Sequence, residues 1–404
     1  VSDLVLKFGG TSVADAGCVA AVARVVADEH AAGRRLAVVV SAAAGDTDRF
    51  LSEARLFGDS PDPRAIDLLL ATGEQASVAR LVLALGALGV PAEPFTGARA
   101  GILTDGAPGQ ARILRVDPTG VRAALDAGRV AVIAGFQGVA ADGALTTLGR
   151  GGSDTTAVAV AAALEAEECR IYTDVEGVFS ADPRLEVRAR RLDRIHCEEM
   201  LELAGLGSRV LAIESVDYAA AHGVPLRVLS TFARGPGTAV HHECEPGAPP
   251  VVGVAASASE AELAAIGLPA RAGLAAALVA PLAAARVPVD AVVQNEARHG
   301  RVDVAFTVPR LRLSQAREIL AREAGRLGAE RLVEDAAVAK VSVVGRGLRS
   351  NAPLLARALR ALETADVAVR ILVANETRIS AIVADTSLTE AVRALHAEFD
   401  LGQS

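Results

Sequence analysis

Of the 41 basic residues in this 404-residue chain, all but Lys7 and Lys340 are arginine. Where arginine is so consistently preferred, a lysine retained beside glycines points to a task for a compact ammonium. Lys7 lies in LVLKFGGTSV (4–13), a β-branched run that enters Gly9 and Gly10. Glycines let backbone N–H groups approach phosphate oxygens, and an adjacent ammonium can neutralise a transferring phosphoryl group. The spacing is not that of the P-loop, and an ordinary strand-to-helix turn would share it. A second glycine-rich loop stands in TTLGRGGSDTTAVAVAAAL (146–164). There Arg150 precedes Gly151 and Gly152, and its fork of donors matches a carboxylate near a helix N-terminus. Ser153 and Asp154 open the alanine-rich helix, either as its cap or as ligand contacts. In YTDVEGVFSADPR (172–184), Asp174 and Asp182 suit ribose, adenine-loop or magnesium contacts, while ADPR reads equally as a β-turn on Asp-Pro.

The elements that must position these loops alternate. From residue 1 to about 240, β-branched runs such as LAVVVS, VAVIAGFQGV (130–139), CRIYTDV (169–175) and VPLRVLS (224–230) are separated by Ala/Leu-rich helical stretches. This predicts an α/β fold with a mostly parallel sheet covered on both faces, with ligands at the carboxyl ends of its strands. HHECEPGAPP (241–250) then interrupts the pattern as a linker. Its His241, His242 and Cys244 lack a second ligand cluster and read as solvated residues rather than a metal site. Beyond it, PLAAARVPVDAVVQN (281–295) lines up with ALETADVAVRILVAN (361–375), each a helix followed by a strand and flanked by further strands. Two βαββαβ units fit this better than a solenoid.

Composition excludes several classes. With a net charge of −8, two tyrosines and no tryptophan, the chain lacks both the field and the stacking surface for nucleic acid. Apolar residues make up 51%, in runs broken by Arg, Pro or Gly, so no membrane span is expected. The opening VSDLVLKFGG does not read as a secretory signal, and a cytoplasmic location is expected. Four scattered cysteines favour reduced thiols.

Taken in order, KFGGTSV, LLATGEQAS, AGFQG, TTLGRGGSDTTAVA, YTDVEGVFSADPR and EEMLELAGLGSRVL resemble the aspartate kinases of the amino-acid kinase family. The resemblance covers essentially the whole chain. It implies a three-layer αβα amino-acid kinase domain over 1–242, a linker over 243–250, and two ferredoxin-like ACT modules over 251–335 and 336–404, with strands open to exchange between them. It also implies conversion of ATP and L-aspartate to 4-phospho-L-aspartate and ADP, with Mg²⁺ on the phosphates, as the first step toward amino acids such as lysine and threonine. By the same resemblance, Lys7, Gly9 and Gly10 hold ATP phosphates. Ser41, Thr47, Glu74, Arg150, Gly151, Gly152 and Ser153 contact aspartate, Glu74 taking its ammonium and Arg150 a carboxylate. Asp154 orients the substrate and Lys7. Thr173, Asp174, Phe179 and Arg184 fall where the nucleotide lies, and Arg209 replaces a lysine usual near the phosphates.

Departures from the family pattern concentrate in the ACT modules. SAAAG (41–45) and Glu214 are minor. PARAG (269–273) puts Ala270 where an effector-binding aspartate stands in lysine- and threonine-regulated relatives, and RSNAP (349–353) also departs. Gln294, Asn295 and Asn375 remain as effector-site candidates. Weakened or lost lysine-plus-threonine feedback is therefore expected. ACT edge strands predict at least a homodimer. The competing readings are a kinase of another amino-acid carboxylate and a catalytically silent amino-acid sensor.

Overall fold

The computed structural model describes residues 2–403 except 59, 208–209, 243–246, 248 and 296–298. It divides into two compact units, Val1–Phe179 with Arg191–Ala248, and Ser180–Arg190 with Pro249–Ser404. The single boundary expected near residue 242 is thus supplemented by an excursion: Ser180–Arg190 leaves the first unit, and its Ala181 is buried in a core of the second. Apolar residues scattered through a turn-rich segment carry no sequence signal of which core receives them.

The first unit runs β1 (Asp3–Phe8), α1 (Ala16–Ala31), β2 (Arg35–Val40), α2 (Asp46–Arg55), α3 (Pro63–Ala87), β3 (Ala92–Phe95), β4 (Ile102–Thr104), β5 (Ile113–Val116), α4 (Thr119–Asp126), β6 (Val130–Ala134), β7 (Gln137–Ala140), β8 (Leu145–Thr147), α5 (Gly152–Leu164), β9 (Glu168–Thr173), β10 (Arg194–His196), α6 (Cys197–Gly205), α7 (Ile213–His222), β11 (Leu226–Ser230) and β12 (Thr238–His241). Its main sheet has the order β10-β12-β11-β9-β1-β2-β6-β3 and is parallel apart from the β11–β12 pair. Covering such a sheet on both faces requires nearly continuous apolar strands, and β1, β2 and β6 are buried along almost their whole length. Alternation sends Leu4, Leu6 and Phe8 toward α1 and α3. Each contributes about 1.5–3 kcal/mol of burial. The same alternation sends Lys7 to the opposite face, where α5 packs on β1. Ala157, Ala159 and Ala161 are buried as α5 packs against both the sheet and α7.

One expectation is corrected. The run 130–139 is not one strand: β6 ends at Ala134, and β7 belongs to a separate sheet of order β5-β4-β7-β8. The break is Phe136, held at φ 64°, where a non-glycine residue pays for its conformation through its surroundings. Its N–H donates to Thr156 Oγ1 at 3.1 Å and its carbonyl accepts from Leu148 N–H at 2.8 Å. By length and composition alone, α3 is long and apolar enough to cross a membrane. Its apolarity has a different cause, since Val78, Leu81 and Leu85 pack on the central sheet while Asp67 and Glu74 are buried beside them.

The second unit comprises β13 (Val251–Pro269), α8 (Leu274–Ala284), β14 (Val292–Gln294), β15 (Arg301–Pro309), α9 (Leu313–Leu327), β16 (Arg331–Gly345), α10 (Ala352–Thr364), β17 (Ile371–Ala374), β18 (Arg378–Ala384) and α11 (Leu388–Glu398). One antiparallel sheet, β14-β15-β13-β16-β18-β17, spans both repeats. Residues 260–269 of β13 pair with β15, whereas 251–257 pair with the part of β16 that also pairs with β18. The first half of β13 therefore serves the second repeat, and the first repeat is inserted between that half and the β16 segment it pairs with. Division at 335/336 cuts β16, because the sequence repeat aligns helices and edge strands but not the two long shared strands. The two apolar cores lie under α8/α9 and α10/α11 respectively.

Candidate active site

A cavity of about 550 Å³ opens at the carboxyl ends of β1 and β2, bounded by the N-terminus of α5 and one face of α3. Lys7 and Arg150, far apart in sequence, both line it, together with Gly10, Ser41, Thr47, Glu74, Gly151, Gly152, Ser153 and Asp154. The first loop is brought tightly against the second strand's end. A Cβ on Gly10 would lie 2.9 Å from the Ala42 carbonyl oxygen, and one on Gly9 would lie 3.5 Å from Lys7 Nζ. Lys7, 8% exposed, pairs with Asp154 through Nζ–Oδ1 at 2.5 Å. Burial makes this pair depend on its partner, because removing one member strands the other charge. The N-cap of α5 is Gly151 in the left-handed region, with no side-chain cap. Ser153 and Asp154 therefore do not cap the helix, and its positive end is directed at the cavity.

Glu74 projects from α3 and is 3% exposed. Oε1 accepts from Ala42 N–H at 2.9 Å, while Oε2 is buried with no hydrogen-bond partner. Burial, opposed by the Ala42 hydrogen bond and reinforced by the negative charge of Asp46, pushes its pKa up to about 7. A buried acceptor of this kind fits an entering cation, since leaving it unsatisfied is costly.

Arg150 stands exposed in the loop between β8 and α5, without an ion-pair partner among the described residues. Gly151 gives this loop its turn at φ 75°, and a Cβ there would lie 2.1 Å from that of Ala212. Gly151→Ala is expected to cost about 1–2 kcal/mol through backbone conformation alone, with the steric clash added. A thermal melt and kcat/KM should therefore both fall, the latter by about 100-fold as Arg150 is displaced.

A second group of residues lies where β9 flanks β1. The strand order runs outward from here in opposite directions, the position where open α/β sheets bind ligands. Gly9 N–H donates to the Tyr172 carbonyl at 3.3 Å, Thr231 N–H to that of Thr173 at 2.9 Å, and Ser12 Oγ lies 2.7 Å from Thr231 Oγ1. Thr173 Oγ1 donates to exposed Asp174 at 3.0 Å. Thr173 and Asp174 thus neighbour Gly9 and Gly10. Phe179 is half-buried in the first unit, bridged to Arg191. Arg184 belongs to the second unit, where its side chain forks onto Asp182 and its N–H donates to Asp182 Oδ1 at 2.9 Å. Asp182 is therefore a turn former. Arg209 lies outside the described residues.

Of the effector candidates, Gln294 is exposed on β14. Asn295 lines a cavity of about 590 Å³ with Gly267, Arg301, Asp303 and Glu330. Asn375 closes the turn between β17 and β18, its Oδ1 accepting from Thr377 and Arg378 N–H at 3.0 and 2.7 Å. Cavity residues not singled out from sequence include Ile66, Leu70, Phe136 and Thr147. The AGFQG motif contained Phe136, but its left-handed backbone is invisible in a residue pattern. Among the described residues, no three His, Cys, Asp or Glu side chains form a metal cluster.

The fold and this cleft define a carboxylate- and phosphate-handling α/β enzyme class, and residues 4–230 match the amino acid kinase family; residues 341–399 match an ACT domain. The aspartokinase of Pseudomonas aeruginosa is 46% identical over 98% of this chain and 97% of its own length. That of Thermus thermophilus is 43% identical, with 99% of both chains covered. The structure of E. coli aspartokinase III in complex with aspartate and ADP superposes with a TM-score of 0.79 at 25% identity, covering 98% of this chain and 99% of the other. The chain belongs to the aspartokinases of the amino acid kinase family.

Proposed function

We propose that the protein transfers the γ-phosphoryl group of ATP to the side-chain carboxylate of L-aspartate, giving 4-phospho-L-aspartate and ADP. The observation that carries this reading is the convergence of Lys7, Glu74 and Arg150 on one cavity. Glu74 Oε2 would receive the substrate ammonium and Arg150 a carboxylate, leaving the second carboxylate directed toward Lys7. That carboxylate is ionised at neutral pH, so its attack needs no strong general base. Lys7, oriented by Asp154, neutralises charge on the phosphoryl group in flight, and the positive end of α5 adds to it. Gly9, Gly10, Thr173 and Asp174 would bound the nucleotide.

The donor set suits magnesium carried on phosphate oxygens, since this ion keeps waters and takes one or two carboxylates rather than a protein cage; Asp154 and Asp174 are the carboxylates flanking the Lys7 loop. There it would supply charge neutralisation. The test is a substrate panel with coupled ADP detection. Aspartate should be turned over well above other amino acids, and preference for another acid would overturn the assignment.

The raised pKa of Glu74 sets a pH dependence. An ammonium needs the carboxylate anionic, so KM for aspartate should rise as pH falls below about 7. The rise should approach tenfold per pH unit, with a much smaller change in KM for ATP. A flat aspartate profile between pH 5.5 and about 8 would contradict this role.

In the second unit, Ala270 offers no carboxylate to an effector's ammonium, and the Asn375 acceptor is occupied by its turn. Millimolar lysine plus threonine should therefore leave most activity intact, as read in the same assay, although an amino-acid effector could still use the cavity at Asn295. The edge strands β14 and β17 expose Val292 and Leu372. They support assembly of at least two copies of this cytoplasmic enzyme.

A further inference from the structure

Asp67 is fully buried on α3, does not line the cavity, and is held by no cation among the described residues. Its Oδ1 accepts from Gly109 N–H at 2.9 Å and from Thr147 Oγ1 at 2.6 Å, and its Oδ2 lies 3.2 Å from the same Gly109 nitrogen. Both partners do line the cavity. A buried carboxylate committed wholly to two neutral donors has no evident reason in stability, because an apolar residue of similar size would avoid its desolvation.

What it joins supplies the reason. Thr147 ends β8, three residues before Arg150, and its carbonyl also accepts from Ala111 N–H at 3.0 Å. Seven residues along α3 from Asp67 stands Glu74, about 10 Å up the helix axis on roughly the same face. One rigid helix therefore carries the group suited to the substrate ammonium and, through Asp67 and Thr147, the anchor of the loop bearing the group suited to a carboxylate. We propose that Asp67 is a positioning residue that sets the spacing between the Glu74 and Arg150 ends of the site, and so selects the length of the amino-acid substrate. This rests on the proposed activity toward aspartate.

In Asp67→Asn the amide oxygen at the Oδ1 position keeps both donors but without the carboxylate's charge, and the N–H₂ in place of Oδ2 opposes Gly109 N–H at 3.2 Å, so the anchor is weakened with little change in shape. With the full-length protein, KM for aspartate should rise about tenfold while kcat stays within about threefold and KM for ATP within about twofold. The kcat/KM preference for aspartate over glutamate, one methylene longer, should fall at least about fivefold. Thr147→Val should shift the same two quantities in the same direction by less, and the double variant should fall short of the sum of the two single effects, since the two residues share one bond. If Asp67→Asn does not fold, Thr147→Val decides by the same readouts. Unchanged aspartate KM and selectivity, or equal losses toward aspartate and ATP, would overturn the proposal. Wild-type protein without aspartate turnover would overturn the activity reading and this inference with it; active wild type with unaltered variants would overturn this inference alone.

Discussion

Lys7→Ala is expected to lower kcat for ATP-dependent phosphorylation of aspartate by about 10³-fold or more, with a much smaller change in KM for aspartate. The Lys7 ammonium sits between the glycine loop and Asp154, at 2.5 Å from the carboxylate oxygen. It can follow charge that develops only as the phosphoryl group moves, so its loss belongs in kcat. Two further effects follow from geometry. The Asp154 carboxylate, 14% exposed, loses its partner and becomes a negative charge facing the phosphates. Lys7→Arg should rescue little, because a planar fork cannot occupy the space of a compact ammonium packed over Gly9. Coupled ADP release, with melting curves to confirm folding, is the measurement. Turnover undiminished in Lys7→Ala would remove the phosphoryl-transfer role.

Glu74→Gln should have opposite effects on binding and on stability. Gln retains an acceptor for Ala42 N–H but offers no charge to an ammonium, so KM for aspartate should rise about 100-fold or more. In the ligand-free protein the same change should be stabilising. The folded-state pKa of about 7 lies above the ordinary glutamate value of 4.5, so the folded state resists ionisation that the unfolded chain accepts. That cost is absent below about pH 4.5, grows as pH rises, and is complete above about pH 7, where the shift corresponds to roughly 3 kcal/mol. Glu74→Gln should therefore melt higher than wild type at pH 8, with the difference shrinking as pH falls toward 4.5. Saturating aspartate should raise the wild-type melt and leave the variant nearly unmoved. A variant that melts lower than wild type at pH 8, yet binds aspartate normally, would dissociate Glu74 from the substrate site.

Residue types alone determined much of this protein. The scarcity of lysine singled out Lys7, the alternation of β-branched runs with alanine-rich helices implied the parallel sheet, and the glycine loops marked its ligand-binding end. These are local properties: a backbone that must approach phosphate needs glycine, and a strand buried on both faces needs apolar residues throughout. The tertiary structure alone decided which groups meet. Nothing in the spacing revealed that Phe136 turns a β-branched run into two strands, that Ser180–Arg190 joins the second unit, or that β13 is shared by both repeats. Nor could Asp67 and Glu74 be told apart, two acids on one helix of which one holds the wall and the other keeps an open oxygen. Each of these outcomes depends on partners brought together by long-range packing, whose identity is not encoded within the segment itself.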